Sequence, residues 1–165
     1  MRAAVLSLVL VMSSAACAGD LTWQSITREI TEKFPAAKTI TVNELRAKLK
    51  NKEPVVLIDV REEKEFAVSR LQGAVHMARA TEVVRRYRSY PGTVVVYCSV
   101  GYRSGAMVEQ LTEAGMKRVF NLKGSIFEWA NRGYPVVNQR GVTPYVHPYD
   151  RHWGQLLNKK YHLPE

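Results

Sequence analysis

The sequence is poor in cysteine, in acidic side chains and in long apolar runs, and each shortage removes a class of protein. Two cysteines occur among 165 residues, Cys17 and Cys98. Cys17 lies in an N-terminal stretch with the character of a leader, so the folded domain keeps one usable thiol and no disulfide framework can hold it together. The uncharged apolar run from Ala3 to Met12 is too short to span a bilayer. Acidic residues number 15 against 24 lysines and arginines, a formal net charge of +9. Such a surface steers anions, whether a small anionic substrate, lipid headgroups or nucleic acid. Repeats and low-complexity tracts are also lacking. What is present is an ordinary 46% of hydrophobic residues and a length that suits one domain with extensions.

Residues 1–18 have the layout of a bacterial secretory signal: Arg2, the apolar run, then small residues. Two cuts are open. Cleavage after Ala18 follows the small-x-small pattern of Ala16 and Ala18 and removes Cys17. Alternatively, Ser14-Ala15-Ala16-Cys17 resembles a lipoprotein box, except for Ser14 where an aliphatic residue is usual. Either cut lowers the net charge by one, through the loss of Arg2. The expectation is a protein of the bacterial periplasm or cell envelope with no nucleic-acid partner. Membrane association would run through a lipidated Cys17 or the basic surface, and the oligomeric state is left open.

Along the rest of the chain, Trp23, Ile26, Ile30 and Phe34 recur at helical spacing and Pro35 ends the segment, giving a helical extension over 19–38. Thr39 to Thr41 is a short strand, and Thr41 with Glu44 forms a capping box for a helix through Leu45 and Leu49. Val55 to Ile58, Gly73 to Met77, Thr93 to Tyr97 and Val119 to Leu122 are further strands. Between them, Thr81 to Tyr87, Ser104 to Ala114 and Ser125 to Asn131 are helices, and Gly115 closes the second of these. This alternation predicts an α/β domain over 39–137 with a central parallel β-sheet flanked by helices. Ligands in such sheets bind beyond the carboxyl ends of the strands, where Asp59 and Cys98 fall. Residues 138–165 form a C-terminal extension that docks on the domain, with Leu156, Leu157 and Tyr161 on one helical face.

The stretch VVVYCSVGYRS concentrates the chemistry. Cys98 follows a buried strand, and a tight loop through Ser99, Val100, Gly101, Tyr102 and Arg103 leads to Ser104 at the start of a helix. Inward-facing amides and the helix N-terminus make an anion nest there. A thiolate is itself an anion, so these surroundings bring a cysteine pKa below its ordinary value of about 8.5. Gly101 permits the turn, and Arg103 offers a planar cation able to hold an oxyanion by two hydrogen bonds. A free cysteine at a strand end can also be a small buried hydrophobe.

The same residues carry a family resemblance. VVLIDVREEKEF, RLQGAVHM, VVVYCSVGYRS and VFNLKGSIFEWANRGYPV together resemble the motifs of a single-domain rhodanese, in that family's order, over Thr39 to Val137. The resemblance implies a sulfurtransferase. Cys98 would take sulfane sulfur from a small anionic donor such as thiosulfate, become a persulfide, and pass the sulfur to cyanide or a thiol. The loop from Ser99 to Ser104 would bind the anion, Asp59 and Arg61 would support it, and no metal or organic cofactor would be needed. Ser99 stands where many relatives carry an arginine. A noncatalytic module that binds sulfur species or a protein partner is the alternative from another class. A cysteine phosphatase fits less well, because such enzymes place one more residue between cysteine and arginine than the four found here.

Asp59 and Arg61 have a structural role as each other's partners, with Asp59 the better placed to reach the loop. His76 is expected in the core, hydrogen-bonded. His147, Asp150 and His152 match no strong metal-ligand spacing, and the basic run Arg85 to Ser89 with Arg79 fits a solvated helix face. Trp129 is expected in the core, and Tyr102 at the pocket mouth, where it would shape access for the acceptor.

Overall fold

A computed structural model describes residues 21–164, so the readings of the leader and of Cys17 lie outside the described residues. Thr22 and Ser25 close a capping box on α1 (Trp23–Lys33), which turns Ile26 and Ile30 inward. The capping box read at Thr41 and Glu44 opens α2 (Val42–Lys50). Thr41 Oγ1 accepts the Glu44 N–H at 3.2 Å, and Glu44 Oε2 accepts the Thr41 N–H at 2.8 Å.

Five strands, β1 (Thr39–Ile40), β2 (Val55–Asp59), β3 (Val75–His76), β4 (Thr93–Tyr97) and β5 (Val119–Leu122), pair in the order β1-β5-β4-β2-β3, every pair parallel. The side chains of β4 alternate between two cores. Val95 and Tyr97 pack with Ile26, Leu45 and Phe127 under α1, α2 and α6 (Ser125–Asn131). Val94, Val96 and Cys98 pack with Val83, Val108 and Leu111 under α4 (Ala80–Tyr87) and α5 (Tyr102–Glu113). A strand buried on both faces must be apolar throughout, which is why β4 is a valine run. Each buried valine or leucine contributes about 1.5–3 kcal/mol relative to exposure. Asp59 of β2 sits in register with Tyr97 of β4, so both strands end at the same rim of the sheet.

The structure corrects several element boundaries. α3 (Glu63–Val68) was not anticipated, because six residues are too few to display helical periodicity. α5 begins at Tyr102, two positions before the expected Ser104, since Gly101 takes φ 115° and turns the chain into the helix there. The Gly73 to Met77 strand is confined to Val75–His76. The C-terminal segment does not form one helical face. It builds a hairpin of β6 (Val136–Asn138) and β7 (Gly141–Thr143), then 3₁₀ turns at Trp153–Leu156 and Lys159–Tyr161. Pro144 and Pro148 interrupt the chain ahead of these turns, and Gly154, a poor helix former, sits inside the first of them, so only short 3₁₀ pieces form.

This segment nonetheless packs tightly. Val146, Leu156 and Leu157 are buried in the first core, and Asn131 clamps it, donating from Nδ2 to the Leu156 carbonyl at 2.7 Å and accepting the Asn158 N–H at 2.8 Å. Trp129 lies in the core as read, its indole N–H donating to the Pro135 carbonyl at 2.9 Å. Among the described residues no helix is long and apolar enough to cross a membrane.

Candidate active site

Cys98 follows the last residue of β4 and is only 1% exposed. Its thiol looks into a cradle. The Gly101 N–H donates to Sγ at 3.2 Å, and Ser104 Oγ stands 3.4 Å away. The first-turn amides of α5 have no carbonyl to bond within their own helix, which leaves that end of the helix electropositive. Burial pushes the Cys98 thiol up. Arg103, the Ser104 hydroxyl and the backbone N–H groups of Ser104 and Gly101 pull it further the other way, so its pKa falls below that of an ordinary thiol.

Behind the sulfur, Ser104 Oγ donates to Asn121 Oδ1 at 2.7 Å, and Asn121 Nδ2 donates to the Gly101 carbonyl at 2.9 Å. Asn121, buried in β5, therefore ties the loop to the helix turn that carries the cradle. Ser125, at φ 50°, accepts the Cys98 N–H at 3.1 Å and donates to the Leu122 carbonyl at 3.1 Å. The sequence reading assigned neither residue to the site, naming Ser125 only as the start of a helix. For Asn121 a signal existed, a lone amide in the apolar strand VFNL.

The largest addition is Glu65, from the unanticipated α3. It is fully buried and takes the fork of Arg103, Nη1 to Oε2 at 2.7 Å and Nη2 to Oε1 at 2.8 Å. The Ser99 hydroxyl donates to the same carboxylate at 3.0 Å and accepts from Arg103 Nη2 at 3.0 Å. This corrects the reading of Arg103 as a free two-pronged oxyanion binder. Its paired donors are engaged, and it acts on the sulfur as an oriented charge tempered by Glu65. Burial raises the Glu65 pKa, but the hydrogen bonds and charge of Arg103, with the Glu62 N–H, outweigh that and hold it below the usual carboxylate range.

A cavity of about 230 Å³ opens onto Cys98, lined by Ser99, Val100, Tyr102 and Arg103 from the loop and by Tyr149 and Trp153 from the C-terminal segment. Tyr102 thus stands at the cavity as expected, though on the first turn of α5 rather than at a loop tip. Its ring meets Phe34 edge-on at 5.3 Å, and its hydroxyl accepts from Lys33.

Asp59 does not reach the loop. Arg61 Nε and Nη2 bind its two oxygens at 3.0 and 2.7 Å, and the pair is sealed at 0% side-chain exposure. The Arg61 guanidinium, two residues away, occupies both Asp59 oxygens and turns them from the loop. His76 donates from Nε2 to the Arg61 carbonyl at 2.6 Å. His147 Nδ1 accepts the Tyr149 N–H at 3.0 Å, and Asp150 Oδ1 accepts the Trp153 N–H at 2.8 Å, so both hold the C-terminal segment's backbone. Arg85 and Arg86 are exposed on α4 and Arg79 at its N-cap, a solvated face.

Residues 41–132 match the family model described as Rhodanese-like domain. A protein named Sulfurtransferase from Allochromatium vinosum is 33% identical over 98 residues, 59% of this chain and 92% of that relative. One named Thiosulfate sulfurtransferase GlpE, from Actinobacillus succinogenes, is 33% identical over 94 residues, 56% of this chain and 84% of its own. An uncharacterized protein of Synechocystis, 30% identical over 95 residues (57% of this chain), is spanned over only 53% of its length. The solved structure of a thiosulfate sulfurtransferase from Pseudomonas aeruginosa, 18% identical, shares the fold with a TM-score of 0.61 over 81% of this chain and 26% of that one. The five-stranded parallel sheet, the cysteine loop at its carboxyl rim and a family match over more than half the chain agree: this chain belongs to the rhodanese-like domain family.

Proposed function

We propose that this protein is a sulfurtransferase that carries sulfane sulfur as a persulfide on Cys98. The observation that supports this reading is the placement of a thiol of lowered pKa against the Gly101 and Ser104 amides, with the Arg103 cation beside it. In the loading half-reaction the Cys98 thiolate attacks the outer sulfur of thiosulfate. A new S–S bond forms, the old one breaks, and its electron pair leaves with sulfite. In the discharge half-reaction cyanide or a thiolate attacks the outer sulfur of the persulfide. The electron pair of that S–S bond returns to Cys98, and the product is thiocyanate or a new persulfide. The charge that rests alternately on Sγ and on the outer sulfur is met by the Gly101 and Ser104 amides and by Arg103.

Incubation with thiosulfate followed by intact-mass measurement tests the reading. The expected result is a species one sulfur atom heavier, absent from Cys98→Ser. No adduct with thiosulfate, a low-molecular-weight persulfide or polysulfide would overturn it and favour the noncatalytic module, whereas turnover of an aryl phosphate would favour a phosphatase. The same proposal puts this chemistry in the periplasm or cell envelope, a reading supported by the leader-like sequence of residues 1–18. Globomycin-sensitive processing would separate lipidation of Cys17 from plain cleavage.

A further inference from the structure

We propose that the C-terminal segment is a fixed roof over the sulfur site, and that Tyr149 and Trp153 decide which acceptors reach it, admitting slim anions and small thiols and excluding protein thiols. The inference rests on the sulfurtransferase reading above and adds its acceptor class. It starts from access: Cys98 is 1% exposed, so a reactant must enter the cavity to touch its sulfur. That cavity, about 230 Å³, lies below the roughly 300–1,000 Å³ of pockets that take drug-sized ligands and equals the liquid volume of about seven or eight waters. Cyanide, thiosulfate or a slim thiol fits. A cysteine on a folded protein brings its flanking backbone with it and meets the two aromatic rings first.

The roof is anchored on both sides. Before it, Val146 is fully buried and its N–H donates to the Tyr161 carbonyl at 2.8 Å. After it, Leu156 and Leu157 are buried in the core under the clamp of Asn131. Between these anchors the Gly154 N–H donates to the Asp150 carbonyl at 2.9 Å, which braces the turn carrying Trp153. Tyr149 holds φ 68°, a left-handed conformation that costs a residue with a side chain of order 1 kcal/mol or more and persists only where its surroundings impose it. The ring so placed sits 4.7 Å from the Arg103 guanidinium, which is itself held by Glu65. The roof therefore leans on the same charge that faces the sulfur.

In discharge the acceptor thiolate or cyanide attacks the outer sulfur, the persulfide S–S bond breaks, and the pair returns to Cys98. The roof alters which acceptor arrives and leaves that chemistry as it is. The test loads the protein with thiosulfate and compares discharge to cyanide with discharge to a reduced thioredoxin-type dithiol protein, in wild type, Tyr149→Ala, Trp153→Ala and Trp153→Phe. The ratio of protein-dithiol to cyanide discharge is expected to rise about tenfold or more in both alanine variants, ~1.4 kcal/mol of barrier, and to stay at the wild-type value in Trp153→Phe, which keeps the bulk. Unchanged ratios in both alanine variants, or a Trp153→Phe ratio equal to that of Trp153→Ala, would overturn the roof. A second readout needs no sulfur transfer: the rate of Cys98 alkylation by fluorescein maleimide relative to iodoacetamide should rise in the alanine variants. A wild type that never loads sulfur, with this rise still found in the alanine variants, would sink the sulfurtransferase reading and keep the steric roof. An alkylation ratio that does not move would remove the roof itself.

Discussion

Arg61 with Asp59 and Arg103 with Glu65 are the same chemistry in two settings. Both are bidentate guanidinium–carboxylate pairs beside the carboxyl rim of the sheet, with Nη to carboxylate distances of 2.7 Å. The first is sealed on both sides, at 0% exposure for each side chain, while Arg103 keeps 31% of its side chain exposed and borders the cavity over Cys98. A fully buried pair has no reaction coordinate to serve, and its desolvation is offset only by the bonds it makes. The open pair holds a charge beside the cavity onto which Cys98 opens. Equal bonding thus serves architecture in one case and, in the proposed reaction, electrostatics in the other.

Removing one member of the sealed pair should cost most. Asp59→Ala leaves Arg61 charged, buried and short of acceptors, with Nη1 already lacking a partner. The expected loss is about 3–5 kcal/mol in urea unfolding, with sulfur loading per folded molecule preserved. A loss of loading without a loss of stability would break the comparison.

Arg103→Ala should add a loss of activity to a loss of stability, since it also strands the buried Glu65 carboxylate. Without the guanidinium the cradle loses the positive charge beside the thiol, and kcat/KM for thiosulfate should fall about 100-fold, ~2.7 kcal/mol. The pH profile of Cys98 alkylation should move to higher pH, because Arg103 opposes burial in setting the thiol's pKa. An unmoved profile would mean that the amides alone hold the thiolate.

Glu65→Gln sharpens the contrast, since it keeps shape but loosens the fork. A fall in kcat/KM of about tenfold is expected from misplacement of Arg103. Stability should also change its acid limb. The native Glu65 carboxyl lies below its unfolded value of about 4.3, so its contribution is present above that value and is lost as pH falls through the lower native one. Glu65→Gln should flatten this limb of the melting curve, and an identical acid limb in wild type and variant would show that the pair contributes nothing.

The smallest effect belongs to the roof. Burial pushes the His147 pKa down, and its Nδ1 accepts the Tyr149 N–H. Below about pH 6.5 the unfolded chain takes up the proton first, so stability should decline as pH falls through that value toward the native one. The decline should be absent from His147→Gln, and its persistence there would assign it elsewhere.

Much of the fold is legible in the sequence because its signals are local. The valine run of β4, the Thr41–Glu44 capping box and the loop after Cys98 each declare themselves within a few residues. α3 does not, being too short for a period, and with it Glu65 escapes notice despite lying within the stretch VVLIDVREEKEF. Asn121 could have been suspected from its polarity in an apolar strand. Nothing local marks Tyr149 or Trp153, which line the cavity together with a loop distant in the sequence.

By itself the sequence determined a parallel α/β sheet, a lone thiol at a strand end and the amide-rich turn that receives it. Each depends on neighbours in the chain, through side-chain alternation, glycine's φ and a helix start. Tertiary structure decided which charges meet. Arg61 finds Asp59 two residues away, whereas Arg103 reaches Glu65 across 38 residues. It also decided that the C-terminal segment folds back over Cys98. Such contacts are fixed by the packing of whole elements against a common core, and a linear pattern carries no record of distance in space.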